Sequence, residues 1–104
     1  RRHWIGYLSK LHGSVTVDAG AVRALRSRPA SLLPIGVVAV SGHFDSGDGV
    51  EIRGPDGEVI GRGLVGYDHK TLESILGLRS DAVADKLGRS LIDPVIHRND
   101  LVLV

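Results

Sequence analysis

The chain contains no cysteine. That removes disulfide staples, thiolate nucleophiles and thiolate-bound zinc together, and it suits a reducing compartment such as the cytoplasm. Methionine is also absent, although the 104 residues begin at Arg1. An initiator Met is normally removed only before a small residue, so the expectation is a piece cut from a longer polypeptide. Aromatic side chains are scarce: Trp4, Tyr7, Phe44 and Tyr67 are the full set. No apolar run approaches the roughly 20 residues that a membrane-crossing helix needs, so no membrane partner is expected. The Arg1-Arg2 pair is like the start of a twin-arginine export signal, but no apolar segment of signal type follows it. No nucleophile elbow or Walker-type phosphate loop is present.

What remains is a composition for one compact globular domain. Hydrophobic residues make up 42% and charged residues 24%, and the length suffices for a single core. Fourteen glycines punctuating short apolar runs favour a turn-rich β fold. The net charge is only +1, yet it is spread unevenly. Arg1, Arg2, Lys10, Arg23, Arg26 and Arg28 face Asp18 alone in the first 28 residues. The remainder is net acidic. Such asymmetry suits either a basic face for an anionic partner or an ordinary solvated surface.

Val15 to Asp18 reads as a short strand. Asp18 can then cap a helix through Ser27, with Ala21, Val22 and Leu25 on one face. Arg23 falls nearly opposite that face and Arg26 beside it, and Pro29 stops the helix. The Val-rich run from Ile35 to Val40 reads as a continuous strand. Val50 to Arg53 alternates, Gly54-Pro55-Asp56-Gly57 is a turn, and Glu58 to Tyr67 alternates again, which makes a hairpin. Asp68 can cap a helix holding Leu72, Ile75 and Leu76, closed by Gly77. Ser80 can cap another holding Val83, Ala84 and Leu87, closed by Gly88. Leu101 to Val104 reads as a last strand. The sum is mainly β with short helices: five to six strands and about three helices, suited to a small closed or nearly closed barrel.

Candidate chemistry is thin. Gly61-Arg62-Gly63-Leu64-Val65-Gly66 spells a dinucleotide fingerprint by letter. That motif needs a strand-to-helix turn inside a βαβ unit, whereas strand alternation continues through it here. Glycines that relieve crowding between strands are the better reading. His3, His12, His43, His69 and His97 are not paired at helical spacing around a Glu. His43 with Asp45 and His97 with Asp100 are the nearest to metal-ligand pairs, and no metal is expected. Asp45, Asp48 and Glu51 lack the order of a calcium loop. The basic set of Lys10, His12, Arg23, Arg26 and Arg28 is the candidate RNA- or anion-binding surface, since phosphates ask only for positive charge within reach.

Several blocks resemble one family. Val17-Asp18-Ala19-Gly20-Ala21-Val22-Arg23-Ala24-Leu25 and Ser31-Leu32-Leu33-Pro34-Ile35-Gly36-Val37-Val38, continuing to Gly42-His43-Phe44, resemble the C-terminal PUA segment of bacterial glutamate 5-kinases. Ala82-Val83-Ala84-Asp85-Lys86-Leu87-Gly88 and His97-Arg98-Asn99-Asp100-Leu101 are similar to the end of the same proteins. The resemblance implies a PUA-like pseudobarrel, a mixed sheet flanked by short helices, over residues 14–104. Residues 1–13 would be the junction from the kinase domain. It implies a cytoplasmic, homo-oligomeric parent that phosphorylates L-glutamate with ATP and magnesium in proline biosynthesis. Those cofactor sites lie in the kinase domain, so this fragment is expected to be non-catalytic, without a cofactor, and to meet its own kinase domain. The alternative implied by PUA domains elsewhere is an RNA-binding module using the basic first helix.

Overall fold

The computed structural model describes residues 10–104. In chain order it runs β1 (Gly13–Val17), α1 (Ala19–Ser27), a 3₁₀ turn (Pro34–Gly36), β2 (Val37–Gly42), β3 (Gly49–Arg53), β4 (Val59–Val65), α2 (His69–Ser74), α3 (Ser80–Leu87) and β5 (Ile96–Leu103). The five strands form one sheet in the order β2-β1-β3-β4-β5. Its pairings are antiparallel except β1 with β3, which run parallel.

The sheet curls because the segment before β2 reaches β5. Leu32 bridges to Ile96, donating its N–H to the Ile96 carbonyl at 2.9 Å. The result is a mainly β, five-stranded mixed pseudobarrel with three short helices among the described residues, as the sequence led us to expect. Val15, Val17, Val37, Val50, Ile52, Ile60, Leu72, Ile75, Val83 and Ile96 are sealed inside it. Phe44 and Tyr67 join them, as expected for aromatics at strand ends.

Three local readings need correction. The run from Ile35 to Val40 is not one strand. Pro34 starts a 3₁₀ turn and β2 begins only at Val37, leaving Ile35 and Val38 more than half exposed. Ser80 is not a cap: Arg79 occupies the N-cap position without a side-chain bond, and Ser80 is already helical. β5 is twice the expected length, because the polar residues from His97 to Asp100 extend it on the barrel's outer face. The Asp18 and Asp68 caps stand as read, accepting from the Ala21 and Thr71 N–H groups. Gly88 closes α3 in the left-handed conformation. Trp4 and most of the junction segment lie outside the described residues.

Candidate anion-binding groove at the open edge of the sheet

The site begins with the cap. The Asp18 carboxylate takes the Ala21 N–H at 2.7 Å and fixes the start of α1. Val22 and Leu25 turn into the core, so Arg23 and Arg26 must point out. Arg26 lies in the last turn, where a cation complements the carbonyl end of the helix. Arg28 is fully extended after the helix, and Pro29 prevents its resumption. The chain then runs to β5, where the Ser31 hydroxyl accepts from the Arg98 N–H at 2.9 Å. Between the end of α1 and β5 lies an open groove of 620 Å³ with Arg26, Arg28 and Arg98 over an apolar floor of Leu25, Leu101 and Leu103.

The expected basic set therefore divides among three places. Arg26 and Arg28 share the groove. Arg23 opens onto a separate hollow shared with Pro55, Asp56 and Glu58 of the β3–β4 turn. Lys10 is exposed just before β1. His12 is held against the β3 end: its N–H donates to Gly49 at 2.9 Å and its ring lies 4.0 Å from the Asp48 carboxylate. Among the described residues, no ion pair involves Arg23, Arg26 or Arg28. Arg98 was not foreseen. It is 67 residues from Ser31, and only the ring closure brings them together.

The other motifs resolve into structure. A β-carbon added at Gly63 would lie 2.6 Å from the Asp100 carbonyl oxygen, and one at Gly66 2.7 Å from that of Pro94. The glycine motif thus serves close packing of β4 and the loop after it against β5 and its approach. The Asp48 carboxylate accepts from the Asp45 N–H at 2.8 Å, so it caps its own turn. The His43 and His69 rings meet edge to face at 4.8 Å, and the His97 ring accepts from the Asn99 N–H at 3.1 Å. Among the described residues, no three His, Asp or Glu side chains converge as a metal site.

Two titratable groups are tuned by the fold rather than for reaction. Burial pushes the Tyr67 phenol up, helped by the nearby Asp93 charge, and its hydroxyl donates to the Asp93 carbonyl at 2.5 Å. The Thr71 hydroxyl and N–H hold the Asp68 carboxyl below its ordinary range. Neither stands in the groove.

A PUA domain family model matches residues 13–87. The chain belongs to the PUA domain family. A solved PUA domain from Aeropyrum pernix, in a tartrate complex, is 30% identical with a TM-score of 0.60, over 85% of this chain and 44% of that one. A PUA domain protein from Thermoplasma acidophilum, at 20% identity, shares the fold with a TM-score of 0.57, over 91% of this chain and 54% of that one. Among curated relatives, a glutamate 5-kinase of Synechocystis sp. is 50% identical over 99% of this chain. One of Streptomyces avermitilis is 44% identical over 97% of it. This PUA domain spans 28% and 27% of their respective lengths. Within the PUA domain, no helix among the described residues is long and apolar enough to cross a membrane.

Proposed function

We propose that this PUA domain is a non-catalytic accessory part of a glutamate 5-kinase, acting through its outer surface on the enzyme's feedback or assembly. The observation that carries the reading is identity of 43–50% to glutamate 5-kinases along 97–100% of the chain, against only 27–28% of theirs. On this reading the parent phosphorylates L-glutamate with ATP in proline biosynthesis. ATP, magnesium and glutamate are held by the kinase portion, and that portion is the domain's first partner in a homo-oligomeric enzyme. The chemistry of the described residues is consistent with this. The perturbed groups Tyr67 and Asp68 serve hydrogen bonds of the fold, and the glycine motif serves strand packing.

The test is removal of residues 1–104 from the parent enzyme. Turnover of glutamate and ATP is expected to persist, while inhibition by proline or the number of subunits per particle in solution changes. Unchanged inhibition together with an unchanged subunit number would overturn the proposal.

A further inference from the structure

The groove has a wall that a cluster of cations alone does not explain. β5 pairs with β4 so that Arg62 stands opposite Val102, and the Val104 N–H donates to the Ile60 carbonyl at 2.9 Å. In an antiparallel pair, hydrogen-bonded and non-bonded positions alternate. Val102 and Val104 therefore turn their backbone toward β4, and Leu101 and Leu103 turn theirs the opposite way. β5 is the last strand of the sheet, and among the described residues the ring closes at Leu32 and Ile96. Among the described residues, no strand pairs with the outer edge of β5 beyond that bridge. The groove runs along this edge, with Leu101 and Leu103 in its lining and Arg26, Arg28 and Arg98 beside them.

We infer that this groove receives an extended, acid-bearing segment from the kinase portion of the same polypeptide, added as a strand to the outer edge of β5. Strand addition matches backbone donors and acceptors, while alternate side chains meet pockets and charges. The apolar floor takes one side of such a strand, and Arg26 and Arg28 favour carboxylates on it. A second copy of this chain docked by the same edge would set those arginines against each other. A nucleic acid would use the charge but not the outward Leu101 and Leu103 backbone. Among the described residues, Phe44 and Tyr67 offer it no stacking platform, being only 2% and 3% exposed. The inference rests on the glutamate 5-kinase reading. Relatives of which this chain is 28% carry most of their length elsewhere, and a tether makes even a weak contact effective.

The experiment is hydrogen exchange at residues 99–104 in the parent glutamate 5-kinase and in the 104-residue chain alone. The Leu101 and Leu103 amides are expected to exchange at least tenfold more slowly in the parent. A parent carrying Arg26→Asp and Arg28→Asp should lose that slowing, while Val102 and Val104, bonded to β4, stay protected and report an intact fold. Equal rates in parent and isolated chain, or slowing indifferent to charge reversal, would sink the inference. So would slowing that appears only when a single-stranded RNA oligonucleotide is added, which would make the groove a nucleic-acid surface. Failure here with a positive truncation result would leave the accessory role standing, so the two readings fail separately.

Discussion

Between β4 and β5 the backbones approach so closely that a methyl at Gly63 would meet the Asp100 carbonyl oxygen at 2.6 Å and the Ile96 side chain at the same distance. On the other side of β5, the strand looks across a 620 Å³ groove at the end of α1. The same strand is thus packed to the limit on one edge, whereas among the described residues its other edge has no strand partner at Leu101 and Leu103. Close packing at that point leaves no room for a ligand. The open edge contributes little to the fold and is where recognition can be built at small expense to stability.

Substitutions separate the two edges. Gly63→Val should have the largest effect, destabilising the domain by about 3 kcal/mol because carbonyl and side chain would have to give way; the midpoint of urea unfolding reads this directly. Asp18→Ala should remove about 1 kcal/mol by uncapping α1, the helix that forms the groove's far wall. Ser80→Ala should change stability by less than about 0.5 kcal/mol, since that serine caps nothing. Equal losses at the two positions would mean that the Asp18 bond is not what starts α1. Arg26→Ala and Arg28→Ala should likewise fall within about 0.5 kcal/mol, because both are exposed and form no ion pair among the described residues. A large loss at either would show that the groove is part of the fold's foundation, and the contrast with Gly63 would collapse.

Acid and alkali sharpen the comparison further. The Asp68 carboxyl is held low by Thr71, so its contribution is complete above the ordinary value of 3.8 and is lost as pH falls through the lower folded value. Tyr67 is raised by burial. Its contribution is complete below the ordinary value of 10.0 and is lost as pH climbs through the higher folded one. Stability measured from pH 2 to 12 should therefore sag at both ends. Tyr67→Phe should flatten the alkaline side, and Thr71→Val the acid side. Neither change should alter exchange at the β5 edge, because both groups lie away from the groove.

Much of the fold was legible because its signals are local. Asp18 and Asp68 precede helical periodicity, and Gly54 to Gly57 separates two alternating runs. The errors also have local causes. Pro34 and Gly36 turn the chain before β2, although Ile35 and Val37 share the apolar character of a buried strand. The polar run His97-Arg98-Asn99-Asp100 hides half of β5, since an outward-facing strand has no hydrophobic alternation to reveal it. The groove was only half visible. Arg26 and Arg28 announce themselves beside a helix end, but Arg98 belongs to them through a bond to Ser31 that no spacing rule foretells. Arg23 looked equivalent to Arg26 until the β3–β4 turn brought Asp56 and Glu58 alongside it.

The bridge between Leu32 and Ile96 carries a kinetic consequence. Leu32 also accepts from the Val95 N–H at 2.7 Å, so two distant stretches of chain are knotted by backbone bonds at one spot. Local helices and the β3–β4 hairpin can assemble early, but the ring cannot shut until the chain between those stretches has been looped, and that entropy must be lost before the contact rewards it. Refolding should accordingly be slow and governed by one late step, and weakening that single junction should slow closure far more than it loosens the hairpin.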